Sequence, residues 1–110
     1  MSNYNGWKNY ETWNVKLWID NDEGEQGYWV EEATATWEAS GGDKDEAAST
    51  LASRLCDYHQ ENAPELTGTY SDLLGAALSE VDWYEIAENM IGDLDLEEEE
   101  AKEAQGTVPA

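Results

Sequence analysis

Side chains that could support catalysis are few in this chain. Cys56 and His59 are its single cysteine and single histidine, and they stand three residues apart in a segment with helical spacing, which would make them neighbours on one helix face. Nucleophilic catalysis needs such a thiol beside a base. Packing on a helix face explains the same spacing, so we predict a protein that is not an enzyme and has no cofactor. A lone cysteine also excludes an internal disulfide and fits a reducing compartment.

A calcium loop is the second possibility, in the stretch DNDEGEQGYWVE. Asp20, Asp22 and Glu31 occupy positions 1, 3 and 12 of such a loop, where ligands are expected. The glycine required at position 6 stands instead at position 5, as Gly24, and Glu25 takes its place. Because the register is wrong, the stretch favours a capped loop between two helices, and we predict no metal site.

Carboxylates dominate the charged residues. The chain has 26 acidic and five basic side chains, a net charge of -21 at pH 7, of which residues 1–55 carry -7 and residues 56–110 carry -14. So acidic a surface repels nucleic acid, which argues against direct binding of DNA or RNA. A role in solubility alone would need a net charge of only about 2 to 8.

The amount of charge suggests that carboxylates stand in for phosphates. Duplex DNA carries one charge per roughly 1.7 Å, so the net charge matches about 36 Å of duplex. Glu85 and Glu88 follow Asp82 at intervals of three residues, so these three acids would share one flank of a helix. The predicted partner-binding surface consists of this flank and the acidic run that follows it: Asp82, Glu85, Glu88, Asp93, Asp95, Glu97, Glu98, Glu99 and Glu100.

These observations lead to a functional hypothesis, an acidic DNA mimic that occupies the DNA-binding groove of a basic nucleic-acid-binding protein of a host cell. A defence protein of the restriction or CRISPR type is the expected target. A 13-residue helix spans roughly 20 Å, for which DNA would show about 12 charges, so two or three helix flanks must converge on one face. The alternative is a protein-interaction module whose acidity serves solubility or high-salt adaptation, and a homodimer is possible.

Apolar residues recur along the chain at intervals of three and four, which is the spacing of an amphipathic helix. This pattern predicts the elements that position the acids. We predict an all-α fold, a compact bundle of four or five short helices, with one helical domain over residues 1–94 and a flexible acidic tail over residues 95–110. The first helix should follow an N-cap at Asn9 and reach Asp20. So wide an apolar surface predicts a central position for this helix; its apolar residues are Tyr10, Trp13, Val15, Leu17, Trp18 and Ile19.

Four more helices are predicted. A loop over residues 20–27 precedes the second helix, the third follows a cap at Asp43 or Asp45 and stops before Pro64, and the fourth begins near Ser71, after LTGTY as a short extended piece. The fifth opens at Asp82, with Glu85 at capping-box spacing. The predicted inner positions are Trp29, Ala33, Thr36 and Trp37 in the second; Ala48, Leu51, Ala52, Leu55, and Tyr58 or His59 in the third; Leu73, Leu74, Ala77 and Leu78 in the fourth; and Trp83, Ile86, Ala87, Met90 and Ile91 in the fifth.

Two stretches, GWKNYETWNVKLWIDNDEG and DLLGAALSEVDWYEIAENM, resemble a family of small phage and plasmid proteins with an N-Y-E-T-W motif followed by L-W-[IL]-x-N-[DE]. That family has no agreed activity, so the resemblance implies a mobile-element setting and little chemistry. In charge and size alone, the chain also resembles the acidic DNA-mimic antirestriction proteins of phages. The sequence has neither an apolar run of membrane-spanning length nor a signal peptide, so we expect no membrane association and a cytoplasmic location in the host cell.

Overall fold

Five helices follow one another in the computed structural model, which describes residues 4–106 and the side chains of residues 4–94. They are α1 (Tyr10–Asn21), α2 (Glu23–Ala39), α3 (Lys44–Glu61), α4 (Gly68–Glu80) and α5 (Trp83–Gly106). Within the described range the β-structure is a single antiparallel bridge between Tyr4 and Trp7. The prediction of an all-α bundle is confirmed. The α5 backbone continues past Leu94, where the sequence analysis began the acidic tail.

Short polar side chains begin four of the helices. Asn9 caps α1, Asp22 caps α2 and Asp43 caps α3, each by accepting a hydrogen bond from a backbone N–H in the first turn. Asp82 precedes α5 and accepts from the Glu85 N–H at 3.0 Å. Such caps satisfy donors that a helix N-terminus leaves unpaired. The predicted caps of the first, third and fifth helices are therefore correct.

The boundary between α1 and α2 differs from the predicted loop. Asp22 alone separates the two helices, as C-cap of the first and N-cap of the second, so Gly24 and Gly27 lie inside α2. Glycine weakens a helix by only about 1 kcal/mol. The cap and two acids in the first turn, Glu23 and Glu25, favour a helix start here, and they explain why the glycines do not break it.

The core lies mainly between α3 and α5, which share the most extensive interface, with α2 packed against both. Trp29 is the largest fully buried side chain. Alanines at the contacts allow the helices to approach closely. The buried positions predicted for the second, third and fifth helices are largely confirmed, and the buried apolar residues are Ile19, Trp29, Ala33, Ala47, Ala48, Leu51, Leu55, Val81, Ile86, Ala87, Met90 and Ile91.

Helix α1 is peripheral, so its predicted central position is wrong. Its fully buried residues are Thr12 and Ile19, whereas Trp18 is 67% exposed and Tyr10 is 51% exposed. The helix packs on α2, α4 and α5 through a narrow face. Thr12 can be buried on that face because its hydroxyl is hydrogen-bonded. The spacing of apolar residues does not reveal such a polar position in the interior.

Helix α4 also differs from expectation. It begins at Gly68, so the second half of LTGTY is helical rather than extended, and none of its residues is buried. Leu73, predicted to be internal, is 61% exposed, and Leu74, Ala77 and Leu78 are half-buried. The cause is its position, because among the described residues α4 packs only on α1. Within residues 4–106, none of the five helices has the length and apolar character needed to cross a bilayer.

Candidate partner-binding surface

The beginning of α5 is held by the segment before α1. Besides capping α5, Asp82 lies 3.9 Å through Oδ2 from Nζ of Lys8. Oε1 of Glu85 accepts a hydrogen bond from the Lys8 backbone N–H at 3.0 Å. Both acids are half-buried. These two carboxylates therefore have structural partners inside the protein and are not free members of an exposed row.

A tight turn brings Lys8 to this place. Tyr4 and Trp7 exchange backbone hydrogen bonds of 2.9 and 2.7 Å, and the two residues between them, Asn5 and Gly6, have φ angles of 47° and 89°. Asparagine followed by glycine favours this left-handed pair of conformations. The dipeptide was a signal in the sequence for a turn that the sequence analysis did not use.

Residues of the N-Y-E-T motif also form hydrogen bonds with the link between α4 and α5. Nδ2 of Asn9 donates to the Glu80 carbonyl at 2.6 Å, while its Oδ1 accepts from both the N–H and the hydroxyl of Thr12. The Thr12 hydroxyl in turn accepts from the Asp82 N–H at 2.8 Å. Two motif residues thus fasten α1 to the link between α4 and α5, and their role is structural.

Acids from two helices converge around Tyr84. Its hydroxyl lies 3.4 Å from Oδ1 of Asp45, and the pKa of Tyr84 is raised first by burial, then by the negative charges of Asp45, Glu88 and Asp43. Asp43 and Asp45 belong to the start of α3, whereas Glu88 extends from α5. We call Asp43, Asp45, Tyr84 and Glu88 the Tyr84 cluster.

Glu88 stands between two shallow depressions of the surface. One, of about 230 Å³, lies between α3 and α5 and is lined by Lys44, Asp45, Tyr84, Glu88, Ile91 and Gly92. The other, of about 380 Å³, is lined by Gly6, Trp7, Glu85, Glu88 and Asn89. Glu88 is exposed and borders both depressions.

Asp93 is exposed but lies elsewhere. It borders a cavity of about 140 Å³ between α1, α2 and α5, together with Lys16 and Asp20, which form a salt bridge of 2.7 Å. Asp95 and residues 97–100 belong to the predicted surface, but their side chains lie outside the described residues. Among the predicted acids of residues 4–94, Glu85 and Glu88 border one depression, Asp82 lies beside Lys8, and Asp93 borders a different cavity.

Asp43 and Asp45 are the functional candidates that the sequence analysis missed. The sequence contained a signal for them, since acids concentrate in the first turn of a helix, near the positive end of its dipole. Their proximity to Glu88 could not be inferred, because it depends on how α3 packs against α5.

Most of the residues considered for catalysis and calcium binding make contacts within the fold. The His59 ring lies 5.1 Å from the Trp83 ring and stacks with Trp29, and its Nδ1 is 2.9 Å from the Leu55 carbonyl. Cys56 accepts a weak hydrogen bond from Gln60. Asp20 pairs with Lys16 and Asp22 caps α2. In the described part of the chain, no group of three or more His, Cys, Asp or Glu side chains has a metal-binding arrangement.

Fold and surface together define a small five-helix protein with a strongly acidic exterior, in which acids of α3 and α5 meet at one place. The chain belongs to DUF7249, a family of unknown function, whose family model matches residues 1–103. No curated protein and no solved structure matches the chain.

Proposed function

We propose that this protein mimics the charge of DNA and binds a basic nucleic-acid-binding protein in the groove that otherwise holds DNA. The observation that supports this most directly is the convergence of Asp45 of α3 and Glu88 of α5 on one depression beside Tyr84. The target class is a restriction or CRISPR-type defence protein of a host cell, and the site of action is that cell's cytoplasm. This setting rests on the resemblance to phage and plasmid proteins.

The charge distribution explains why the Tyr84 cluster is the centre of the proposed surface. Of the predicted acids, Asp82 and Glu85 hold the start of α5 in place, so neutralising them would disturb the fold. Glu88 and Asp45 are exposed, and together with Lys44 they line a shallow depression. We expect a basic side chain of the partner to contact the two acids there. Charges at the edge of an interface mainly accelerate association, whereas desolvated pairs slow dissociation.

The test is a matched pair of double variants. Asp45→Asn with Glu88→Gln removes two charges from the Tyr84 cluster, and Glu31→Gln with Glu38→Gln removes two charges from exposed positions of α2. Immobilised wild-type protein would capture targets from a prokaryotic lysate, followed by a stepwise salt elution. We expect basic nucleic-acid-binding proteins in the eluate. We expect the first variant to bind them about tenfold or more weakly than the second, because close interfacial charge pairs contribute at least about 1.5 kcal/mol.

Competition with duplex DNA decides between mimicry and a general acidic contact. A purified target should release this protein when a duplex is added, and the complex should weaken steeply with salt, as DNA complexes do. A target that binds duplex and this protein at the same time, without mutual weakening, contradicts the proposal. Equal loss of binding in the two double variants would show that the Tyr84 cluster is not the centre of the binding surface.

A protein-interaction module that is not a mimic is the second candidate. The observation in its favour is the exposed apolar surface of α1 and α4, where Trp18, Tyr70 and Leu73 are each more than 60% exposed. Here the acidic exterior would serve solubility or life at high salt. Persistence of the captured complexes at high salt, with no displacement by duplex, supports this candidate instead.

A further inference from the structure

The acidic exterior has a large exception. Residues 4–19 contain two lysines and one glutamate, and residues 66–79 contain one aspartate, so these two segments together have no net charge and the rest of the chain carries the whole -21. They comprise most of α1 and α4, two neighbouring helices. An acid, Asp20 or Glu80, follows each segment directly. A charge placed only for solubility would be expected on the most exposed helix, yet α4, which has no buried residue, carries two acids, Asp72 and Glu80 at its last position.

Apolar side chains occupy the exposed part of this neutral region. On α4, Tyr70, Leu73 and Ala76 recur every three residues, so they share one flank, beside the half-buried stripe that α1 covers. Tyr70 is 71% exposed and Leu73 is 61% exposed. The apolar arc of α4 is therefore wider than the surface its neighbour can cover.

Helix α1, which neighbours α4, also exposes apolar side chains. Tyr10 and Leu17, one heptad apart, lie on its outward side with Trp18 next to them, because the inward side is occupied by Thr12 and Ile19. We call the exposed residues Tyr10, Leu17, Trp18, Tyr70 and Leu73 the α1–α4 apolar surface.

The area of this surface approaches that of a small protein interface. An aromatic side chain presents about 150 to 250 Å², so the exposed fractions of these five residues amount to on the order of 500 Å² per copy. The largest apolar patch of a typical monomer measures about 300 to 600 Å² and is often functional. Specific interfaces begin near roughly 600 Å² per partner, which is close to this sum.

We propose that the α1–α4 apolar surface binds a second copy of this chain, as a two-fold symmetric homodimer. Two molecules of net charge -21 repel each other over most of their surfaces, and this neutral region is where they can approach. A two-fold interface places the same patch on both partners, and a neutral apolar patch is compatible with itself. This inference does not depend on the proposed function.

Salt gives the dimer a distinctive signature. Because repulsion between the acidic exteriors opposes association, screening it should tighten the dimer, whereas a complex with a basic partner weakens with salt. Sedimentation equilibrium of the full chain at 0.05 and 1 M NaCl should therefore show a dimer dissociation constant at least about tenfold lower at the higher salt.

A matched pair of single variants locates the interface. Leu73→Glu places a carboxylate in the contact twice, once from each copy, and should raise the dissociation constant by about tenfold or more. Val30→Glu introduces the same charge at a comparably exposed apolar position of α2 and should have little effect. Because both positions are exposed, neither change should unfold the protein, which circular dichroism would check.

Three outcomes would overturn the proposal. They are a wild-type chain that is monomeric at 1 M NaCl and high micromolar concentration, a dimer that loosens as salt rises, and a dimer to which Leu73→Glu and Val30→Glu are equally harmful. A monomer with an intact duplex-displaceable target complex would reject the dimer and leave the proposed function standing. A salt-tightened dimer that captures no basic target would do the reverse.

Discussion

At the scale of single residues, Thr12 shows how a polar side chain becomes part of the interior. Its hydroxyl donates to Oδ1 of Asn9 at 2.6 Å and accepts from the Asp82 N–H at 2.8 Å, so the side chain is fully buried with its hydrogen bonds satisfied. Removal of one partner leaves the other polar group buried without a hydrogen bond, which lowers the free energy of unfolding by about 1 to 3 kcal/mol.

We predict that Thr12→Val lowers the free energy of unfolding by about 1 to 3 kcal/mol, although valine has nearly the same shape. Urea denaturation followed by circular dichroism measures this change. Thr34→Val is the control, because the hydroxyl of half-buried Thr34 donates only to the Val30 carbonyl within its own helix. Equal stability of the two variants would contradict a structural role for the Asn9–Thr12 network.

Tyr58 gives a prediction for alkaline pH. Burial, followed by the negative charge of Glu25, raises the pKa of Tyr58 above its usual value of 10.0. Above pH 10 the unfolded chain ionises this phenol while the folded chain keeps the proton, so the contribution to stability is present below pH 10 and is lost as pH rises through the folded pKa. Tyr84 acts in the same direction.

The measurement compares urea unfolding of the wild type and Tyr58→Phe at pH 8 and pH 11. Wild type should lose more stability over this interval than the variant, which retains the ring but has no proton to lose at this position. A loss of the same size in both proteins would show that Tyr58 does not contribute to the alkaline transition.

At the scale of helices, the tryptophans separate the interior elements from the peripheral ones. Trp29 of α2 is fully buried and contacts the rings of Tyr58 and His59 in α3. Trp13 of α1 is half-buried and packs with Tyr4 and Tyr10 at the periphery. The two residues are chemically identical, and their positions in the bundle decide their contribution to stability.

We predict that Trp29→Ala lowers the free energy of unfolding by about 3 to 5 kcal/mol, the range for a fully buried aromatic residue. Trp13→Ala should cost clearly less, because part of that ring is in contact with solvent before the change. Thermal unfolding of both variants under one set of conditions tests the order. A larger loss for Trp13→Ala would mean that α1 is as central to stability as its apolar sequence first suggested.

At the scale of the whole molecule, the net charge of -21 sets the dependence of stability on salt. Like charges at the surface repel more strongly in the folded chain than in the expanded one, which destabilises the compact state. Lys8, Lys16 and Arg54 each form a salt bridge with a carboxylate in the described part of the chain, while the whole sequence has 26 acids and five basic residues. Added salt screens the repulsion over distances longer than about 10 Å at 0.1 M.

We therefore predict a higher thermal midpoint at 1 M NaCl than at 0.05 M NaCl, by several degrees, since 1 kcal/mol corresponds to about 4 to 8 °C for a domain of this size. The double variant Glu31→Gln with Glu38→Gln should gain less from salt, because it carries two fewer negative charges. A thermal midpoint that is independent of salt would show that repulsion between the surface carboxylates does not destabilise the folded chain.

Local sequence determined much of this protein. Caps at Asn9, Asp43 and Asp82 set helix starts because capping depends on a side chain and the backbone within three residues of it. The buried stripes of α2, α3 and α5 followed from apolar spacing, since a residue that is four positions away lies on the same face of any helix. The net charge, and with it the argument against direct nucleic-acid binding, also required no coordinates.

Tertiary structure alone decided which apolar faces are buried and which acids meet. The stripes of α1 and α4 looked like core in the sequence, yet Trp18 and Leu73 face outward, because spacing shows that a face is apolar and not whether another element covers it. The fifth-helix acids looked like one row, yet Asp82 and Glu85 are occupied by a distant N-terminal segment. Asp45 lies beside Tyr84 only because α3 packs against α5. Contacts between residues far apart in the chain depend on helix packing, and no local pattern encodes that packing.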